Sequence, residues 1–103
     1  MNSDHQILRL RGALTINTLF PFQTAVRELK ASSLIVDLSG LTYVDSAGIG
    51  SIVAAYIGFK RTGQQLALVG MNDRVRTMLD MTHVTHLFKT YATVEEAEAA
   101  LVQ

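Results

Sequence analysis

The stretch Val36-Asp37-Leu38-Ser39-Gly40-Leu41-Thr42-Tyr43-Val44-Asp45-Ser46-Ala47-Gly48-Ile49-Gly50 decides how the chain is organised. It starts inside a compact apolar run, Leu34-Ile35-Val36-Asp37-Leu38, bounded by Ser33 and Ser39-Gly40. A short run of that kind reads as a central strand covered on both faces. The stretch ends where Asp45-Ser46-Ala47-Gly48 opens a helix, with Ile49, Ile52, Val53, Tyr56 and Lys60 expected on one face. Lys60 and Arg61 fall in the last turn, where cations suit the helix dipole, and Thr62-Gly63 is the stop. A buried strand thus leads into a loop, and the loop delivers Ser46 to the first residues of a helix. Unpaired N–H groups and the dipole favour an anion there.

The same alternation continues on both sides. Upstream, Ile7-Leu8-Arg9-Leu10-Arg11 alternates apolar and basic, an edge strand that Gly12 is expected to end. Phe22, Ala25, Val26 and Leu29 recur at helical spacing between Phe20 and Ala31, with Asn17 and Thr18 both open as N-caps and Pro21 in the first turn. Downstream, Leu66-Ala67-Leu68-Val69-Gly70 is a second buried strand. Asn72 or Asp73 caps a helix that turns Val75, Met78 and Leu79 inward, and Phe88-Lys89-Thr90-Tyr91 is a short last strand. Thr93 caps a final helix whose early acids, Glu95, Glu96 and Glu98, suit a positive helix end. The fold class is α/β: one domain spanning residues 1–103, with about four helices and a mixed sheet that is parallel at its centre.

Composition narrows the function classes. The chain has 103 residues, 49% of them hydrophobic and 17% charged, with one Pro, which is enough for one packed core. Nine Lys+Arg balance nine Asp+Glu, so the charge pattern of a nucleic-acid binder is missing. With no Cys there is no thiol catalysis, disulfide or thiolate metal site. The polar start, Met1-Asn2-Ser3-Asp4-His5, does not have the order of a secretory leader, and no apolar run reaches the eighteen or so residues of a membrane span. The expectation is a small cytoplasmic domain.

Ser46 is the residue most open to chemistry. A phosphate on it would carry about −1.5 to −2 charges, which the helix end would stabilise and Asp45 would oppose. Gly48 and Gly50 are expected to leave the first turn bare, so that another protein's backbone comes close to Ser46. The alternative is structural, since either Asp45 or Ser46 can be a plain N-cap. A helix capped by Asp45 does not need Ser46 as well, and two glycines cost about 1 kcal/mol each in helix propensity.

The other motifs lead elsewhere. A hydrolase elbow requires Gly where Val44 stands, and no acid and His partners accompany Ser46, so no catalysis is expected. Gly48-Ile49-Gly50-Ser51-Ile52-Val53 has Val53 in place of the third glycine of a dinucleotide fingerprint and lies too far from the strand end, so no cofactor is expected. His83 and His86 are three apart without an obvious third ligand, so no metal is expected. Met71, Met78 and Met81 read as core filling, the Glu95–Glu98 run as a solvated helix start, and Arg74 and Arg76 as an exposed face. Loops after parallel strands gather at one end of a sheet, so Ser39-Gly40, Asp45-Ser46 and Gly70-Met71-Asn72 are expected close together as a docking face.

Asp-Leu-Ser-Gly-Leu-Thr-Tyr-Val-Asp-Ser-Ala-Gly-Ile-Gly, residues 37–50, resembles the signature of the STAS domain, named for sulfate transporters and anti-sigma factor antagonists. The similarity runs from Ile7 to Leu101 and includes Arg61-Thr62-Gly63-Gln64-Gln65-Leu66-Ala67-Leu68-Val69-Gly70 and the closing Glu-Glu-Ala-Glu-Ala-Ala-Leu helix. The resemblance implies a bacterial regulatory module whose phosphoacceptor is Ser46. Its partner would be both anti-sigma factor and serine kinase, and a phosphatase would reset it. The partner surface carried over by position is Asp45, Ser46, Ala47, Gly48, Ile49 and Gly50, joined by Gly70, Met71 and Asn72. The same resemblance also fits an accessory subunit of an ABC-type lipid transporter, or a scaffold in a signalling assembly. Two features depart from the family. Thr15 stands where its Gly-x-Leu-Asp pattern has an acid, and the first strand of the family's opening hairpin is expected to be stunted or missing, which would leave Leu8 and Leu10 near an exposed edge.

Overall fold

The computed structural model describes residues 5–101; the polar Met1–Asp4 stretch lies outside them. Strands and helices alternate throughout. β1 (His5–Leu14), α1 (Leu19–Glu28), β2 (Ser33–Val44), α2 (Ser46–Thr62), β3 (Gln65–Val69) and α3 (Asp73–Met81) are followed by a single 3₁₀ turn at Thr85–Leu87. β4 (Lys89–Tyr91) and α4 (Val94–Leu101) complete the order. The strands stand in the sheet in chain order, β1-β2-β3-β4, and every neighbouring pair is parallel. The mixed edge expected from the sequence is therefore not formed among the described residues. α1 carries the chain from β1 back across one face, and a crossover of that kind delivers a parallel neighbour.

Alternation along the strands sorts the core into two layers. Leu34, Val36 and Leu38 of β2 and Leu66 and Leu68 of β3 face a large apolar cluster built with Leu19 and Phe22 of α1, Ile49, Ile52, Ala55 and Phe59 of α2, and Val75 and Leu79 of α3. Ile35, Ala67 and Val69 point the other way, onto Ala97 of α4. Because β2 and β3 are covered on both faces they read as continuous apolar runs, as a parallel sheet requires.

Two strands are longer than their sequence pattern. β1 continues through Gly12, and β2 continues through Ser39-Gly40 to Val44, where a loop was expected. The two continuations pair with each other, Arg11 with Gly40, Gly12 with Leu41 and Leu14 with Val44, and the register shifts on either side of Arg11-Gly12. Gly12 takes a left-handed φ of +72° at this irregularity, which an L residue adopts only at a cost, and Thr42 donates its hydroxyl to the Gly12 carbonyl at 3.0 Å. Leu8 and Leu10 pack against the core from the edge strand.

The buried face of α2 is also turned from the expected one. Ile49 and Ile52 are buried as anticipated, but Ser51, Ala55 and Phe59 join them, Val53 and Tyr56 are half-buried, and Lys60 is exposed. Small residues at 48, 51 and 55 put α1 and β1 close to α2, and that proximity moves the contact stripe. Gly63 ends α2 in the left-handed conformation, with its N–H reaching back to the last carbonyls. Of the methionines, Met71 and Met78 pack on the core, whereas Met81 is 72% exposed at the end of α3 and fills nothing.

Candidate functional site

The extension of β1 and β2 sets the position of Ser46. β3 and β4 stop at Val69 and Tyr91, in register with Asp37, while β2 runs on for seven more residues, Leu38 to Val44. Asp45 then links β2 to α2 with no intervening loop. Its carboxylate holds two segments at once. Oδ1 accepts the Gly48 N–H at 2.8 Å, the N-cap bond of α2, and Oδ2 accepts the Ile16 N–H at 3.1 Å from the turn after β1. Its own N–H donates to the Leu14 carbonyl at 3.2 Å.

With Asp45 as the cap, Ser46 is free of that duty. It is exposed at the first position of a 17-residue helix, and its side chain has no hydrogen bond among the described residues. Phosphate there would meet the unpaired N–H groups of the first turn. Ala47 is half-buried and Gly50 is exposed, with open space where a Cβ would stand. Gly48 and Ile49 are different: both are buried, Ile49 at 6% exposure. A Cβ on Gly48 would come within 2.1 Å of the Leu14 carbonyl oxygen. Gly48 is thus required for the close approach of α2 to β1, and does not bare the surface for a partner.

The remaining expected docking residues are brought together only in part. Gly70 (φ +71°) lies against Ser39, so that a Cβ on it would stand 2.9 Å from the serine Cβ. Asn72 caps α3 by accepting the Val75 N–H at 2.8 Å and donates to the Leu41 carbonyl at 2.8 Å, tying the β3–α3 turn to β2. Asp45 and Ser46 lie four residues of extended chain past Leu41, roughly 13 Å further along the sheet, against Leu14–Ile16 and away from Gly70. The neighbours of Asp45 that sequence reading missed, Leu14 and Ile16, are about thirty residues away in the chain and carry no local signal. Thr15, in place of an acid, accepts the Asn17 N–H at 3.2 Å, and its own N–H donates to the Thr18 hydroxyl at 2.8 Å. The turn is therefore closed by two hydroxyls, the local role a carboxylate also fills.

Beside Gly70, Asp37 accepts the Ser39 N–H at 3.0 Å and Arg9 Nε–H at 3.3 Å. Burial pushes this carboxyl up, but the Ser39 amide and hydroxyl together with Arg9 outweigh it and hold the group below the ordinary value. A depressed acid contributes stability above its unfolded value, about 3.9, and loses it as pH falls through the lower native one. Denaturation midpoints compared at pH 6 and pH 2 are expected to fall less for Asp37→Asn than for the parent chain; equal slopes would refute the assignment.

The two histidines do not share a helix face. His83 stands in a left-handed turn after α3 (φ 61°), and His86 lies in the 3₁₀ turn. No group of three or more His, Cys, Asp or Glu among the described residues is placed to hold a metal ion. Nor is any helix among them long and apolar enough to cross a membrane. Glu96 accepts the Ala92 N–H at 3.2 Å and Glu98 meets His5 at 2.9 Å, so two of the three early acids of α4 are engaged in the fold.

The architecture is that of a small α/β domain, with a helix N-terminus raised at the end of its longest strand pair. The STAS domain family profile matches residues 2–97, and the chain belongs to that family. An anti-sigma-B factor antagonist of Listeria monocytogenes is 29% identical over 91 residues, covering 85% of this chain and 80% of its own length. An anti-sigma F factor antagonist of Paenibacillus polymyxa is 26% identical over 89 residues, covering 82% and 76%. Among solved structures, a candidate anti-sigma factor antagonist of Thermotoga maritima superposes with a TM-score of 0.88 at 26% identity, over 95% of this chain and 87% of that one. The SulP transporter STAS domain of Vibrio cholerae shares the fold at a TM-score of 0.77 and 20% identity, over 97% and 82%.

Proposed function

We propose that this protein is an anti-sigma factor antagonist switched by phosphorylation of Ser46, a binding module with no catalytic role of its own. In its unmodified form it binds an anti-sigma factor that is also a serine kinase, which releases a sigma factor in the bacterial cytoplasm, and a phosphatase restores it. One observation carries the reading: Asp45 caps α2, leaving the Ser46 hydroxyl exposed and unengaged at the helix N-terminus. The relatives named as antagonists of anti-sigma factors support the class of partner. The surface that meets it comprises Asp45, Ser46, Ala47 and Gly50, with Gly70, Met71 and Asn72 lower on the same end of the sheet. Gly48 and Ile49 support it from beneath.

Charge at position 46 is the switch, because a phosphate adds a local dianion where the partner seats. Capture from a native lysate with wild type, Ser46→Asp and Ser46→Ala separates charge from shape. Wild type and Ser46→Ala are expected to retain a small ATP-binding kinase, Ser46→Asp to bind it at least about tenfold more weakly, the equivalent of ~1.4 kcal/mol, and Ser46→Ala to resist modification. Equal capture of a transporter ATPase by all three forms would overturn the reading in favour of an accessory transporter subunit, with Ser46 no more than a surface residue of the helix start.

A further inference from the structure

At the opposite end of α2 lies a cleft of about 190 Å³ that the switch does not use. Lys60 is fourteen residues from Ser46, roughly 21 Å along the helix axis. Phe59 and Leu66 are buried in its floor, Leu87 and the Tyr56 ring are half-buried around it, and Lys60 and Lys89 are exposed at its rim. Tyr56 is held in place by an edge-on contact with Phe88, the ring centroids 5.4 Å apart.

The charge of this cleft is one-sided. No acidic residue lines it, and neither lysine is within ion-pair distance of a carboxylate among the described residues. Lys60 occupies the last turn of α2, where a cation suits the dipole. Yet its ammonium turns back over the Tyr56 ring, 5.7 Å from the centroid, with the phenol oxygen at 3.5 Å. An aromatic and aliphatic floor lined by two exposed lysines, with no carboxylate paired to either among the described residues, is complementary to a molecule with one apolar body and one anionic end.

We propose that this cleft is a second binding site, for a small amphipathic carboxylate of aryl or short acyl type, whose carboxylate lies between Lys60 and Lys89 and whose apolar part covers Phe59 and Leu66. Its volume suits a body of about ten non-hydrogen atoms, and a contact of that size binds with a Kd on the order of 1 mM. The site is independent of Ser46 and of the partner proposed for it.

The test is a titration of the full ¹⁵N-labelled chain with 3-phenylpropanoate, followed by amide chemical shifts. Saturable shifts clustered at Tyr56, Lys60, Leu66 and Lys89 are expected. The neutral isostere 3-phenylpropan-1-ol is expected to bind at least tenfold more weakly, as is the acid to the Lys60→Gln/Lys89→Gln double variant. Both lysines are exposed, so the double variant keeps its fold, which its own spectrum verifies. Shifts scattered over the surface, equal binding of the alcohol, or undiminished binding to the double variant would each overturn the proposal.

Discussion

Gly48→Ala is expected to unfold at a much lower denaturant concentration than the parent chain, with a loss of about 3 kcal/mol, the upper part of the usual range for overpacking a close contact. The added methyl would stand 2.1 Å from the Leu14 carbonyl oxygen, 2.7 Å from a Val44 methyl and 2.9 Å from the Leu14 carbonyl carbon. Two of these are backbone atoms of a paired strand, so they cannot rotate away; α2 has to lift off β1. For a domain of this size the loss corresponds to a fall in Tm of roughly 15 °C. Gly50→Ala supplies the internal control. It lies two residues on, its Cβ would meet nothing within 4 Å, and alanine improves helix propensity. It is expected to raise stability by about 0.5–1 kcal/mol. Chemical denaturation of the pair decides the matter: opposite signs are required, and a neutral Gly48→Ala would mean that α2 is not seated on Leu14.

The second large effect belongs to Asp45. Asp45→Ala removes the N-cap bond to Gly48, typically ~1 kcal/mol, and the bond to the Ile16 amide, of similar size, for a total of about 2 kcal/mol. Asp45→Asn keeps a good cap but has only one acceptor oxygen for two donors, and is expected to lose about half as much. Equilibrium unfolding of the two variants checks the ratio. If both substitutions cost the same, the Ile16 contact accounts for the whole effect and the cap for none of it. Because Ser46 is unengaged in the fold, Ser46→Ala is expected to leave the unfolding midpoint in place, and the two adjacent positions separate stability from switching.

Most of the element order was legible in the sequence, and the physical reasons are local. β2 and β3 announce themselves as apolar runs because helices cover both faces. The caps at Asp45, Asn72 and Thr93 are side-chain bonds to amides three residues on, so a short window contains the whole interaction. Gly63 is legible for the same reason. What was hidden depends on residues far apart. Ser39-Gly40 reads as a turn that ends the strand, and Leu41–Val44 lacks period-two alternation, with Leu41 and Val44 buried and Thr42 and Tyr43 exposed; pairing with Arg11–Leu14 carries the strand through. The role of Gly48 was misread for a related reason. Its neighbour is a carbonyl 34 positions earlier in the chain, and in isolation a glycine in a first turn looks like an opening left for a partner. The α2 stripe was placed off-centre because Ser51 and Ala55 are small rather than strongly apolar, and small residues mark close helix packing only once the second helix is known.

The strictly sequential parallel sheet has a consequence for how the chain reaches its native state. Parallel neighbours cannot be joined by a tight hairpin, so every strand pair is closed across a helix; Arg9, for example, meets Asp37 28 residues away. Each closure forfeits the freedom of a long loop before its contacts repay it. No local hairpin is available as a starting point among the described elements, and the first stable nucleus has to combine a crossover helix with two strands. Refolding is therefore expected to be slower than in helical bundles of equal length. Spatial order follows chain order, so a chain emerging from its N-terminus can add each βα unit to an edge already in place, with α4 as the last piece to close the second face.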